Sequence, residues 1–309
     1  MPRQGAPGKQ GRLNVPLDQI TGPESPAQTV KLGDFLVTVV SDGYISVPDD
    51  IVTAGAAPDA RPALLNRLPA AASGVKAYAN IPIVRAGGDL IIFDVGGGAH
   101  YQPTEGLLAR SMAAAGLDRS AITKVVFTHA HPDHVWGTQS DDGALLFPNA
   151  TYYVGRAEWA FWMDPDFLTT MPVALHGFAQ GTRRALDAVK DRLVFLEPGD
   201  DVVTGVRALD TTGHTPGHLS FELAGGDGLL IAADVATSSI VSFEHPEWIF
   251  GFDTFPEIAV RTRQSFLDRA ATDRPQLLGY HWPYPGLGTA ERHKAAYRFC
   301  PSHAGKPHG

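Results

Sequence analysis

The stretch Thr128-His129-Ala130-His131-Pro132-Asp133-His134 places four potential metal ligands within six positions, directly after the apolar run Lys124 to Phe127. Neutral imidazole and ionised carboxylate are the groups that hold zinc, iron, manganese or cobalt. In an extended segment the alternation of His129 and His131 lets both imidazoles emerge on one side. Pro132 then turns the chain, so that Asp133 and His134 can face a second ion. Most of the 12 histidines in the chain suit an ordinary surface or core reading. Three of them with an interposed aspartate behind a buried strand do not, because burying so many ionisable groups is costly without a compensating charge.

Such a site needs further ligands, and the chain offers three, each at the end of a predicted strand. His214 lies in Thr212-Gly213-His214-Thr215-Pro216-Gly217-His218, after Val206 to Asp210. Asp234 follows Leu229-Leu230-Ile231-Ala232-Ala233, and His281 follows Leu277-Leu278-Gly279-Tyr280. An acid ending an apolar strand must meet a charge, which suits Asp234 to bridge two ions. Ser238 and Ser239 read as packing or outer residues rather than as nucleophiles.

The elements that position these residues are short and β-branched. Strands are predicted at Phe35 to Val40, ending in a turn at Ser41-Asp42-Gly43, and at Ile81 to Val84 and Leu90 to Phe93 around Ala86-Gly87-Gly88-Asp89. Further strands are predicted at Lys124 to Phe127, Thr151 to Val154, Leu193 to Leu196, Val206 to Asp210, Leu219 to Leu223, Leu229 to Ala232 and Gln276 to Gly279. Helical spacing appears at Thr104 to Ala115, Ala157 to Met163, Gly177 to Val189 and Pro256 to Ala271. Residues 1–29 read as an extended arm, 30–300 as one domain and 301–309 as a tail. Strand-rich and helix-containing stretches alternate in two halves, which fits packed sheets with helices outside.

Composition narrows the function classes. With 44% hydrophobic and 19% charged residues among 309, the chain can bury a large core. A formal charge of -8 without basic runs disfavours nucleic acid as a partner. The single cysteine, Cys300, excludes an intramolecular disulfide framework and a cysteine-built zinc site. No apolar run approaches the ~20 residues of a bilayer span. No apolar segment follows the first basic residues, so a cytoplasmic location is the default; a chain whose signal had been removed would read alike, leaving the periplasm open. Nine aromatics, among them Trp159, Phe161, Trp162, Trp248, Phe250, Phe252 and Tyr284, gather near the ligand-bearing segments. Trp136 and Trp282 stand so close to ligands that both are expected to line the pocket, favouring a small apolar or aromatic substrate.

His-x-His-x-Asp-His, then Gly-His-Thr-Pro-Gly-His, then Asp, then His, taken in that order, resembles the metallo-β-lactamase superfamily from about Val30 to Arg298. The stretch His281-Trp282-Pro283-Tyr284-Pro285-Gly286-Leu287-Gly288 is similar to the methyl parathion hydrolase-like branch, neighbour of the acyl-homoserine lactone lactonases. So are Ser242 to Trp248 and Ser41-Asp42-Gly43. The resemblance implies an α+β fold, a four-layer αββα sandwich with metals at one edge. It implies one site from His129, His131 and His214, a second from Asp133, His134 and His281, and Asp234 bridging them. By the same resemblance Asp94 is a structural aspartate beside the site, and His218 an outer residue. Thr237 stands where the lactonases carry a tyrosine that polarises the lactone carbonyl. A homodimer is also implied.

Two divalent ions, zinc first, with iron, manganese or cobalt as alternatives, would depress the pKa of a shared water. The resulting bridging hydroxide would attack an ester, lactone, phosphotriester or activated aromatic carbon, with Asp133 and Asp234 as the catalytic carboxylates. The competing expectation is an iron-dependent, dioxygenase-like oxidoreductase on the same fold. That reading needs one metal and leaves the set Asp133, His134 and His281 without a purpose.

Overall fold

The apolar runs become strands covered on both faces, which is why they read as continuous hydrophobic stretches rather than as clean alternation. Residues 27–302 are described by the computed structural model. The first sheet holds β1 (Gln28–Leu32), β2 (Phe35–Val47), β3 (Ala70–Ala71), β4 (Gly74–Ala86), β5 (Asp89–Phe93), β6 (Lys124–Val126), β7 (Thr151–Gly155) and β8 (Leu193–Leu196). Its spatial order is β1-β2-β4-β5-β6-β7-β8, with β3 beside β4. The second holds β9 (Asp201–Val203), β10 (Val206–Asp210), β11 (Leu219–Leu223), β12 (Leu229–Ala233), β13 (Gln276–Gly279), β14 (Leu287–His293) and β15 (Ala296–Pro301). These run in the order β15-β14-β13-β12-β11-β10-β9.

The period-two alternation of strands sorts their side chains into layers. Leu90 and Ile92 of β5 join a core under the helices with Leu108, Met112, Trp162 and Leu186. Ile91 and Phe93 of the same strand join the core between the sheets, where Phe221, Leu229 and Ile231 meet them. On the far side Leu230, Ala232 and Leu277 pack with Phe266, Leu267 and Ala270 of the helix Pro256–Asp273. The architecture is therefore the α+β sandwich of four αββα layers. Among the described residues no helix is long and apolar enough to cross a membrane.

Strand direction explains why ligands gather. β5, β6, β7 and β8 are mutually parallel, so Asp94 and the 129–134 cluster leave from one sheet edge. β12 and β13 are parallel, and β10 shares their direction because both β10 and β12 are antiparallel to β11. Hence His214, Asp234 and His281 leave the second sheet together.

Several expectations need correction. The strand at Phe35 does not stop at Val40 but continues to Val47, and the pairing with β4 only shifts register between Ser41 and Gly43. Ser41-Asp42-Gly43 is thus a bulge rather than a turn. It frees the Asp42 carboxylate to accept hydrogen bonds from the backbone N–H groups of Gly97, Gly106 and Leu108. The helix expected from Thr104 starts only at Leu108, because Gly106 has φ 85° and interrupts it. Gln28 and Thr29, placed in the arm, pair with Val39 and Thr38 of β2. The arm's remaining residues 1–26 and the tail at 303–309 lie outside the described residues. Pro301, assigned to the tail, ends β15 and pairs with Gly288. The strands β9, β14 and β15 escaped notice because exposed charges such as Glu291, Arg292 and Arg298 break their apolar pattern.

One buried amide joins the sheets beside the ligand edge. Asn80 of β4 donates through Nδ2 to the carbonyls of Gly279 (3.0 Å) and Trp282 (2.8 Å), and its backbone N–H donates to Tyr280. These bonds fix the turn that presents His281. Replacing Asn80 with Ala strands buried carbonyls, so Asn80→Ala is expected to lower unfolding stability by about 2 kcal/mol. Denaturant titration measures this; an unchanged midpoint would show that the carbonyls find other partners.

Candidate metal centre

His129, His131, His214 and Asp234 form one buried group of potential ligand atoms, and Asp133, His134 and His281 form another; within each, the atoms lie within 4.8 Å of one another. The Oδ2 atom of Asp234 reaches towards both groups, at 3.3 Å from His214 Nε2 and 3.2 Å from His281 Nε2. His134 Nε2 lies 3.6 Å from Asp234 Oδ1 and 3.7 Å from Asp133 Oδ2. His131 Nδ1 stands 3.1 Å from His129 Nε2 and 2.9 Å from His214 Nε2. All seven side chains predicted as ligands are thus brought together.

Four of the five ligand histidines are hydrogen-bonded on their outward side. His129 Nδ1 meets Thr128 Oγ1 at 3.1 Å, and His134 Nδ1 meets Asp94 Oδ2 at 2.8 Å. His214 Nδ1 meets Asp253 Oδ1 at 3.0 Å, and His281 Nδ1 meets the Tyr78 carbonyl at 2.9 Å. With each Nδ1–H donated outward, the Nε2 atoms of these four histidines face inward, as ligating imidazoles do. Inward, by contrast, His134 Nε2 and Asp234 Oδ1 are buried without a hydrogen-bond partner. A set of borderline imidazole nitrogens and hard carboxylate oxygens, satisfied outside and unsatisfied inside, fits divalent metal ions.

Charge within the cluster is unevenly held. Burial, reinforced by neighbouring imidazoles, keeps His129 and His131 well below the ordinary histidine range, hence neutral. Burial opposes the charged form of His134, but Asp133, Asp234 and Asp94 outweigh it and hold the ring well above that range. His214 is likewise pushed up to about 9, with burial overcome by Asp234 and Asp253. Burial would raise the Asp234 carboxyl, but His281 and His134 hold it well below the usual carboxylate value.

Four supporting residues build the surroundings. Asp94 accepts from Thr128 N and Thr128 Oγ1, both at 2.8 Å, as well as from His134, and so ties β5 to the ligand loop. His218 accepts the backbone N–H of Asp234 at Nε2 (3.0 Å), with Nδ1 against Thr211 Oγ1. Two more carry no sequence motif. Glu158 is fully buried and accepts from Ala130 N, Trp162 Nε1, Thr215 Oγ1 and Gly217 N, binding the 129–131 segment to the 214–217 loop. Asp253 accepts from His214 and from Arg263. An acidic residue inside each aromatic-rich run, Glu158 beside Trp159 and Asp253 beside Phe252, was the only sequence signal for them.

The donors open onto a cavity of about 400 Å³. Thr237 lines it beside Asp234, as do Ile45, Val47, Tyr101, Phe178, Phe250 and Phe252. The two tryptophans expected there are elsewhere. Trp282 is fully buried among Phe243, Ala270 and Leu277 behind the second sheet, and its Nε1 donates to Ala236. Its neighbour His281 points into the site, so the alternation of the chain sends the indole the other way. Trp136 lies behind the wall, its ring 5.4 Å edge-on to Tyr101 and against Gly181, where a Cβ would collide with it.

Metal loading must displace protons from the raised imidazoles. In unbuffered solution near pH 7, zinc added to metal-free protein is expected to release protons from groups such as His214, and the release should shrink as pH rises through about 9. Proton uptake or a pH-independent signal in an indicator titration would contradict this charge assignment.

The comparisons with known proteins agree with the geometry. A family profile described as "Metallo-beta-lactamase superfamily" matches residues 77–281. The chain is 32% identical over 134 residues to N-acyl homoserine lactonase AttM of Agrobacterium fabrum, a match covering 40% of this chain and 44% of the relative. A homonymous protein of Azorhizobium caulinodans is 33% identical over 146 residues, covering 43% and 48%. The chain thus spans about half the length of these curated relatives. Among solved structures, hydrolase AbOPH "in beta lactamase superfamily" aligns with TM-score 0.83 at 28% identity, covering 91% of this chain and 99% of that one. AidC, a dizinc quorum-quenching lactonase solved with the product N-hexanoyl-L-homoserine, aligns with TM-score 0.82 at 27% identity, covering 90% and 98%. The matched profile spans well over half of the sequence, and the chain belongs to the metallo-beta-lactamase superfamily.

Proposed function

We propose that the protein is a binuclear metal-dependent hydrolase acting on a small, neutral, largely apolar ester, lactone or phosphotriester. The observation that carries this reading is the pair of donor groups, satisfied outward and unsatisfied inward, at the floor of an apolar cavity. His129, His131 and His214 would hold one ion, Asp133, His134 and His281 the other, and Asp234 would face both. Bound there, two divalent ions acidify water and polarise an electrophilic centre. Zinc fits the nitrogen-rich donor set best, and AidC, described as dizinc, shares the fold at 27% identity.

The chain's own residues supply orientation and exclusion of water. Phe178, Phe250 and Phe252 form an apolar wall that excludes solvent from a bound substrate. Burial, with the charges of Asp133 and Glu105 added, raises the Tyr101 phenol, so at this wall it acts as a hydrogen-bond donor. Thr237 offers a hydroxyl near Asp234. Asp133 lines the cavity and is the carboxylate placed to pass a proton to a departing oxygen, within the constraint that it also faces His281 at 3.3 Å.

The largely apolar lining, in which one of the two cations is already paired with an acid, favours a neutral substrate over a strongly anionic one. Arg67 is engaged by both carboxylate oxygens of Glu244, and the Lys76 ammonium lies 4.3 Å over the Tyr44 ring. Arg67 is thereby charge-paired, while Lys76 keeps its charge against the tyrosine face.

Protein loaded with zinc or cobalt is expected to carry about two ions per chain and to hydrolyse members of a panel of aryl esters, lactones and phosphotriesters. Asp234→Ala should lower both metal content and turnover. A single iron with oxygen consumption would overturn the hydrolase reading in favour of the oxidoreductase. Phe252→Ala should raise KM for apolar esters about tenfold, corresponding to ~1.4 kcal/mol, without loss of metal; an unchanged KM would remove the wall from substrate binding.

A further inference from the structure

We infer that Arg263 is a positioning residue that couples ion binding at His129, His131 and His214 to the placement of the Phe250 and Phe252 wall. The inference rests on the proposed metal site, and goes beyond it by joining metal affinity to substrate fit through one buried cation.

Arg263 lies on the helix Pro256–Asp273, far along the chain from the histidine motif, and is only 2% exposed. A guanidinium so deeply buried must have its donors paired. Its Nε donates to the Val235 carbonyl at 3.1 Å, immediately after Asp234. Its Nη1 donates to the Trp248 carbonyl at 2.5 Å, and its Nη2 to Asp253 Oδ2 at 2.9 Å. Asp253 in turn accepts from His214 Nδ1 at Oδ1 and from the Phe250 backbone N–H at Oδ2, both at 3.0 Å.

One planar group therefore touches three things at once: the backbone behind the carboxylate that faces both ions, the carboxylate behind a ligand of one ion, and the loop carrying the aromatic wall. The five N–H donors of a guanidinium have a fixed fork geometry, so none of these contacts can shift alone. Two backbone bonds lock the same loops, from Thr254 N to the His214 carbonyl (2.8 Å) and from Phe255 N to the Gly213 carbonyl (2.9 Å). A displacement of His214 is thus transmitted to Phe250 and Phe252, and a ligand pressing on those rings presses back on His214. A lysine cannot reproduce the arrangement, because its ammonium is a point donor without the fork.

The test uses the full chain and two readouts independent of turnover. Cobalt affinity and the visible cobalt spectrum report the ions, and calorimetric binding of 1-naphthol to cobalt-saturated protein reports the wall. Arg263→Lys is expected to weaken one of the two cobalt ions about tenfold, the low end of the range for losing an outer partner of a ligand, because it loosens Asp253 without removing it, and to alter its spectrum. It should also weaken 1-naphthol about tenfold, even when cobalt is saturating. Asp253→Asn, which alters the direct partner of His214 and leaves the Arg263 bonds to Val235 and Trp248 in place, should reproduce both effects with a loss of cobalt affinity at least as large, and it decides the matter if Arg263→Lys does not fold. Wild-type cobalt affinity and spectrum in folded variants would overturn the inference. So would weakened cobalt binding with unchanged 1-naphthol affinity, since that is a ligand support without coupling. Wild-type protein that binds two cobalt ions but hydrolyses nothing on the panel would overturn the proposed activity and leave the coupling to be decided by these measurements.

Discussion

The arrangement of this protein depends on holding unsatisfied ligand atoms together at the buried floor of a cavity. Imidazole nitrogens that approach one another at 2.9 and 3.1 Å, and carboxylate oxygens buried among them, are unfavourable neighbours unless something sits between. The fold meets this by fixing four of the imidazoles from behind. Thr128, Asp94, Asp253 and the Tyr78 carbonyl each take one outer imidazole N–H. Because those bonds set the ring orientations, the inward nitrogens are aimed before any ion arrives, and the entropy of gathering them is lost during folding rather than on binding.

Strand ends make that possible at low conformational freedom. The donors leave parallel strands of two sheets whose faces are locked by the shared core, so their starting points cannot drift. The backbone then bends sharply where it must: Asp94 has φ 61° and Ala233, just before Asp234, has φ 48° and ψ -129°. A residue with a Cβ is unfavourable in such a conformation by about 1–3 kcal/mol. It persists because Asp94 is held by Thr128 and His134, and Asp234 by the imidazole of His218. Strain concentrated at these two positions is the counterpart of rigidity in the sheets.

What the sequence disclosed follows from the same division. Ligands at the ends of apolar strands were legible because two signals coincide there: a hydrophobic run stops, and a polar residue with metal-binding chemistry begins, as at Ala233-Asp234 and Tyr280-His281. The central strands β5, β6 and β12 were legible because burial on both faces leaves an unbroken apolar run. Residues that act through tertiary contacts left no such trace. Glu158, Asp253 and Arg263 sit on helices or loops away from the ligand motifs, and apart from the aromatic neighbours of Glu158 and Asp253 nothing in their local pattern separates them from surface charges. Trp136 and Trp282 misled for a related reason. Adjacency in sequence to a ligand says little about which way a side chain points, and both rings turned into packing.

Substrate fit is built from other material than the metal centre. Val52, Leu64 and Leu68, from the segment between β2 and β3, gather with Ile45, Val47 and Val241 in a small cluster separate from the main cores. That cluster supplies much of the apolar cavity wall, together with Phe250 and Phe252 from the loop after Asp234. Beside it Arg67, which lines the cavity, pairs with Glu244, and their side chains are 51% and 33% exposed. Exposed pairs of this kind contribute about 0–1 kcal/mol, so the rim is held weakly while the floor is held by a saturated hydrogen-bond network. Changes in the wall can therefore alter which apolar group is accepted without disturbing the donors, as long as they leave the Trp248–Asp253 loop in place. That loop is the exception, because its carbonyl and carboxylate are tied through Arg263 to the backbone of Asp234 and the imidazole of His214.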